Sequence, residues 1–523
     1  MTTRNFSFIV HPALGGLDVT KAPTLLEHNQ LTVAENIEYY TSGSRKKRLG
    51  TAKYNGAAVG SAFTDLEDFW RYGVSLIPTQ KFMAHTGTSI VKDDGDGVWD
   101  VLDGAWGSPD AQTDITIAQG YAVFATTHGD VAKKYDQTAL SDLTSTGTPK
   151  FSASTYHQRR LFTAGETEAL SGSANPSRTT FSAAGDITDF SGADTGSLIF
   201  DQDDGDRLMG ISDSYRGRLY FFKGPQYGAV FELTGTSPST YANNRLFSGA
   251  PCVSHQGIIT LPNDIYWASR YGFHSLAATQ KFGDTEEANI SRPVQALFNR
   301  LNHGRLHQIV GFYHPSRNII GWTAPESGQT QNNVVFVYNY LLQQWSTWRF
   351  TFPVATAAVM LDPAGASQGQ PRLYLGGYDG YVREGDQEVL ADDGTQGYAA
   401  IVVTPIYSRF SDSVTELHEK QFYAVTTFFN PKGQHVANLE VLIDKRTQSA
   451  AVEMVGGGAV LDTFVLDVDR LAGNEYDYVE TIIEDRGRSI QLSWTQAGVN
   501  QDMEIYGHAV RAAVAEGHAM EPS

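Results

Sequence analysis

The stretch RGRLYFFKGPQYGAVFEL, residues 216–233, alternates apolar and polar positions on both sides of a turn built from Gly224, Pro225, Gln226, Tyr227 and Gly228. Period-two alternation, broken by residues that tolerate a positive φ or fix a bend, is the mark of a β-hairpin. The same grammar returns in KFMAHTGTSIVKDDGDGVWDVL (81–102), GYAVFATTHGDVAKKYD (120–136), DIYWASRYGFHSL (264–276), NNVVFVYNYLLQQWSTWRF (332–350) and PRLYLGGYDGYVRE (371–384). A hairpin series on a period of roughly 40 to 60 residues suits small sheets arranged radially, because each sheet buries its faces only against its neighbours. The expected fold is all-β: a β-propeller of about six to eight blades over 59–392. A pair of irregular β-sandwiches fits the same series.

After 392 the texture changes. Six strand-like runs, among them GYAAIVVTPIYSRF (397–410), HEKQFYAVTTFFN (418–430), AVLDTFVLDVD (459–469) and RSIQLSWTQ (488–496), predict a C-terminal antiparallel β-sandwich over 393–523. Residues 1–58 differ again. The first 55 residues hold seven basic and four acidic side chains, whereas the whole chain carries −19. This stretch reads as an N-terminal assembly segment whose basic turn GSRKKRLG (43–50), with Arg45, Lys46, Lys47 and Arg48, faces carboxylates of a neighbouring subunit.

The remaining composition excludes more than it assigns. Cys252 is the single cysteine, so no intrachain disulfide framework and no cysteine-based zinc site can form. No apolar run reaches the roughly 18 residues that span a bilayer, and the N-terminus lacks the apolar core of a signal peptide, so no membrane span is expected. The acidic balance argues against a surface built to hold nucleic acid, since phosphate binding depends on clustered cations.

Candidate chemistry is sparse. Ser89, Asp93, Gly95 and Trp99 approximate the Asp-box turn of sialidase propellers, but the serine lies too far upstream and the tryptophan one place late. Asp201, Asp203, Asp204 and Asp206 in DQDDGDR could surround a hard cation, yet the loop lacks the glycine and distal glutamate of an EF-hand, and a solvated turn accounts for it as well. Asp93, Asp94 and Asp96 are a second place for a metal. His303 and His307 have the i, i+4 spacing of zinc hydrolases, but Gly304 stands where the general base belongs. Tyr338, Tyr340, Trp345 and Trp348 are expected to fill core rather than stack a ligand. Nucleophile-elbow, P-loop and dinucleotide motifs are missing, so neither catalytic residue nor cofactor is expected.

The opening GGLDVTKAPTLLEHNQLTVAENIEYYTSGSRKKRLG, with Gly15, Gly16 and Leu17, then Asn36 and Ile37, then the basic turn ending at Gly50, resembles the start of tail nozzle proteins of short-tailed bacteriophages, the tail-hub or packaged-DNA stabilisation group. YHQRRLFTAGETEALSGSANPSRTTFS (156–182), DDGDRLMGISDSYRGRLYFFKG, VYNYLLQQWSTW and DRGRSIQLSWTQAGVNQDMEIYGHAV resemble later stretches of that family, in order along nearly the whole chain. The resemblance implies a structural, non-enzymatic virion protein: a homohexamer in the tail, below portal and adaptor proteins and beside tail fibre or needle proteins. Its ring would retain the packaged genome and conduct double-stranded DNA during ejection without sequence-specific binding. The competing expectation is a propeller-fold glycan-degrading or glycan-binding protein of a phage tail.

Overall fold

The hairpin at 216–233 forms from strands Leu219–Gly224 and Ala229–Thr234, with Leu219 opposite Leu233 and Phe221 opposite Phe231. Alternation sends Phe221, Phe231 and Leu219 to one face, where they meet Phe200 and Leu208. Phe222, Val230 and Tyr220 go to the other, beside Ile265 and Trp267. Both faces are buried, so each sheet needs a neighbour on either side. Each enclosed Phe contributes about 1.5–3 kcal/mol relative to an exposed one. The turn is pinned by Asp206, whose carboxylate accepts the N–H groups of Gln226 (2.7 Å), Tyr227 (3.0 Å) and Gly228 (2.7 Å).

The structure, a computed structural model, describes residues 5–10, 15–72, 78–144, 150–166, 175–282, 289–363, 368–410, 417–431, 435–455 and 477–514. The expected strand at 459–469 and the tail beyond 514 lie outside the described residues. The chain divides into two compact units, one of Ala52–Val335 with Phe352–Asp386, the other of Met1–Thr51, Phe336–Thr351 and Gln387–Ser523.

The first unit is the propeller. Among the described residues six sheets of three or four strands and the end strands of a nine-stranded sheet succeed one another as seven blades, opened by Phe63–Tyr72, Thr113–Ala118, Ala153–His157, Arg207–Ile211, Ile258–Thr260, Val310–His314 (the end of the nine-stranded sheet) and Val354–Leu361. These opening strands pack side by side around an axis, and Val354–Leu361 returns against Phe63–Tyr72 to close the ring. Between the fourth and fifth blades Gly210 permits the approach, since a Cβ there would lie 2.6 Å from Ile258 Cδ1. The fifth blade has three strands, and the helix Leu276–Phe282 follows its last. The ends of the unit meet in the last blade, where Tyr54 N donates to Val382 O (2.9 Å) and Val382 N to Asn55 Oδ1 (2.7 Å).

The second unit is a β-sandwich. One sheet runs Ile37–Tyr39, Arg45–Lys47, Glu504–Val514, Lys420–Phe429, Asp477–Gly487, with Asn5–Val10 also on Glu504–Val514. In the other, Val33–Glu35 lies between Gln344–Trp348 and Ala400–Val403, which leads on through Ile490–Gln496 and Val436–Ile443 to Arg446–Glu453. The expected division into 1–58, 59–392 and 393–523 is therefore corrected. The N-terminal residues supply strands to the C-terminal sandwich, because their apolar positions Leu31, Ala34 and Ile37 need its core.

Candidate functional site

Three of the four cations of the basic turn are buried. Arg45, Lys47 and Arg48 are each 1% exposed. Arg48 donates to Asn36 Oδ1 (3.0 Å), Leu49 O (3.0 Å), Arg349 O (3.1 Å) and Asp392 Oδ2 (2.9 Å), with its guanidinium 3.7 Å from the Tyr398 ring centre and 4.2 Å from that of Phe350. Lys47 Nζ donates to Gln496 Oε1 (3.3 Å), Gly498 O (3.0 Å) and Gln501 O (3.1 Å), and burial lowers its pKa to about 8. Arg45 Nη2 donates to Asn29 O (2.9 Å). Lys46, partly exposed, stands 3.8 Å from Asp502. The expectation of cations aimed at a neighbouring subunit is corrected: their partners belong to the same unit, because buried charge requires hydrogen-bonding partners at short range.

The aspartate loop already holds a cation. Lys223 Nζ, fully buried, donates to Phe200 O (3.0 Å), Asp201 O (2.6 Å) and Asp204 Oδ1 (2.6 Å). Asp201 pairs with Arg245 (3.0 Å), Asp206 anchors the hairpin turn, and Asp203 is exposed. Asp201, Asp203, Asp204 and Asp206 are thus corrected as metal ligands, and among the described residues no three acidic, histidine or cysteine side chains converge on a metal position. Asp93 caps its own turn, accepting from Asp96 N (3.1 Å) and Gly95 N. His303 and His307 do not share a helical face: His303 lies edge-on to Phe298, and His307 sits in the short 3-10 turn Leu306–Gln308. Tyr338 and Trp345 pack with their rings tilted and their centres 4.7 Å apart, and Trp345 and Trp348 are buried core.

What the opening strands of the blades do enclose is a cavity of about 550 Å³ on the propeller axis, with Asp65, Glu67, Asp114, Asp213 and His255 on its wall. Two of the carboxylates also fasten neighbouring blades: Asp65 Oδ2 accepts Ile115 N (2.8 Å) and Asp114 Oδ2 accepts Ser154 N (2.7 Å). Burial, followed by the charge of Asp114, raises the Asp65 pKa well above the usual carboxylate value. Glu67 is raised in the same way by burial and then by Asp65, Asp213, Asp68 and Asp114, and Asp213 by burial and Asp114. His255 is raised too, since Asp114 and Asp213 outweigh its burial. Four anions and one imidazole at close quarters favour uptake of protons.

Side chains bridge the ring beside this cavity. His255 Nε2 meets Asp114 Oδ1 at 3.1 Å, Gln256 Nε2 donates to Thr64 O (2.7 Å) and Thr113 O (2.8 Å), and Gln112 Nε2 donates to Ser254 Oγ (3.1 Å) and to His307 O. Residues just before the fifth opening strand are so tied to the first two blades across the axis. Beyond them, where the opening strands begin, lies a second cavity of about 370 Å³ with Ser61, Arg305, His307 and Tyr378 on its wall.

No family model and no curated protein matches this chain. Among solved structures it is similar to YCF48 bound to D1 peptide, at 9% identity and a TM-score of 0.38 over 67% of this chain and 97% of that one. It is also similar to YCF48 from Cyanidioschyzon merolae, at 9% identity and a TM-score of 0.38 over 64% and 98%. A glycoside hydrolase follows at 10% identity and a TM-score of 0.23 over 87% and 99%.

The axial carboxylates had a signal in the sequence. Thr64-Asp65, Thr113-Asp114 and Ser212-Asp213 set the same hydroxyl–aspartate pair at or beside an opening strand. Only ring closure tells which aspartates of the chain face one another.

Proposed function

We propose that this chain is one of six copies that ring a bacteriophage tail as its nozzle, retaining the packaged genome and later letting it pass, with portal or adaptor proteins above and fibre or needle proteins beside or below. The observation that carries the reading is the role of the residues on which the family resemblance rests. A Cβ at Gly15 would lie 2.4 Å from Asn29 C, and one at Gly50 would lie 1.9 Å from Val389 O. Asn36 holds a positive φ of 55° while its side-chain oxygen accepts from Arg48 Nε, closing the basic turn against the Asn-Ile step. These positions are requirements of a packed sandwich, so their order along the chain favours a shared fold over coincidence.

The bore of such a nozzle lies between copies and not within one. The axial cavity has the size of a small-molecule site, and His255, Gln256 and Gln112 cross its end. An acidic exterior keeps a passing duplex hydrated, since few phosphates would find cations. Light scattering on the purified protein and negative-stain images of purified tails test the reading. A six-fold ring is the expected result; a stable monomer that cleaves a capsular glycan would overturn it.

A further inference from the structure

We infer that the 370 Å³ cavity at the mouth of the propeller binds a phosphate group, with Arg305 and His307 as its principal ligands. The wall of this mouth carries one guanidinium and one imidazole, with a single exposed carboxylate at its edge. Arg305 is half-buried on the cavity wall, and no carboxylate pairs with it among the described residues. With the Gln308 amide turned to suit both of its neighbours, its oxygen accepts from Arg305 Nη1 at 3.1 Å, which leaves most of the guanidinium fork unused. Arg207, exposed at the start of the fourth blade, contacts Met209 Sδ (3.1 Å) and likewise has no carboxylate partner among the described residues. Burial lowers the pKa of His307, and the positive charges of Arg305 and Arg207 lower it further, so a neutral imidazole stands beside two guanidiniums.

The rest of the wall is also rich in donors. Tyr378 OH accepts from Asn332 N (3.3 Å), so its own proton is free for another acceptor. Ser61 Oγ is buried and has no hydrogen-bond partner among the described residues. Gln256 and Gln112 spend their amide hydrogens on the cross-axis bonds, forming a floor that separates this cavity from the acidic one. Asp110, exposed at the edge, is the carboxylate on this wall and makes no ion pair with Arg305. A guanidinium fork, an imidazole and two hydroxyls suit a tetrahedral oxyanion, whose several acceptor oxygens can be met from different directions. The volume admits a phosphate ester but not a nucleic-acid strand lying lengthwise.

The test follows the His307 ring proton by NMR in the full chain while inorganic phosphate, and in a separate arm short duplex DNA, replaces chloride at constant ionic strength. Bound phosphate supplies negative charge, so the apparent pKa of His307 is expected to rise at saturation. Arg305→Gln should weaken phosphate binding by about ten- to a hundredfold, the range for hydrogen bonds to a charged group, while thermal unfolding stays that of the wild type. Tyr378→Phe should weaken it less. A His307 response to either phosphate source that depends on Arg305 supports the proposal, and comparison of the arms says whether the group arrives free or on DNA. No response of His307 to either source in the wild-type protein, a measurement that needs no variant to fold, would overturn it, as would an equal response in Arg305→Gln.

Discussion

The basic turn of the sandwich and the carboxylates on the propeller axis are both dense charge held away from bulk water, and the two are settled in opposite ways. Around Arg48 and Lys47 almost every donor meets a carbonyl, an amide oxygen or a carboxylate of the same unit, and Arg45 reaches Asn29 O. Around Asp65, Glu67, Asp114 and Asp213 one imidazole faces four carboxylates. A saturated cluster is a structural fixture, whereas an under-compensated one answers to protons and ligands. Charge density in a sequence does not distinguish them; the tally of partners does.

The largest expected effect comes from breaking the saturated cluster. Arg48→Met leaves Asp392, itself buried, without its cation, and strands acceptors on Asn36 and Arg349. Removing one member of a buried pair costs about 3–5 kcal/mol. Denaturant unfolding of Arg48→Met should show a loss of that order, and Arg48→Met with Asp392→Asn should recover part of it. A loss under about 1 kcal/mol, the range of exposed pairs, would return the basic turn to the surface role that its sequence suggests.

Lys223 is the propeller's own example of a saturated cation. Lys223→Met strips three acceptors at Phe200, Asp201 and Asp204, two of them backbone carbonyls. The loss should be smaller than at Arg48, about 2–3 kcal/mol, because Asp204 can turn to water. Melting followed by circular dichroism checks it. Added calcium should leave the melting temperature of the unaltered protein unchanged, since the Lys223 ammonium already occupies the place of an ion.

How much of this was legible follows from the range of the forces involved. Strand alternation and turn residues are local, so the hairpin at 216–233 and its relatives could be read directly, as could the propeller and the sandwich they build. The placement of residues 1–58 could not, because pairing of Val33–Glu35 with Ala400–Val403 joins positions far apart in sequence, and hydrophobic pattern says that a strand needs a partner without saying which. The same distance hid the sites. Arg48 finds Asp392, Lys223 finds Asp204, and His255 finds Asp114 only after the chain has closed. An aspartate-rich loop looks alike whether it awaits a metal or holds a lysine.

The smallest expected effect sharpens the contrast through pH. At the axis the native pKa values of Asp65, Glu67, Asp213 and His255 all lie above their ordinary values. Between the ordinary carboxylate range near 4 and the raised native values, the folded protein therefore binds more protons than the unfolded chain. The slope of unfolding free energy with pH is 2.303RT times the unfolded minus the native proton count, so it is negative there. This stability is full below the unfolded values and declines as pH rises, each carboxylate adding at most about 1.4 kcal/mol per pH unit. Lys47 has the opposite sign: its native pKa of about 8 lies below the ordinary lysine value, so the native state binds fewer protons and stability rises as pH climbs through that window. Urea midpoints measured from pH 4 to 10 should thus flatten over the lower part of the range in Asp65→Asn with Glu67→Gln, while Lys47→Met lowers the midpoint throughout and changes the slope of the alkaline limb alone. If the paired axial substitutions left the lower limb unchanged, those carboxylates would be as fully compensated as the buried cations, and the distinction between the two clusters would be lost.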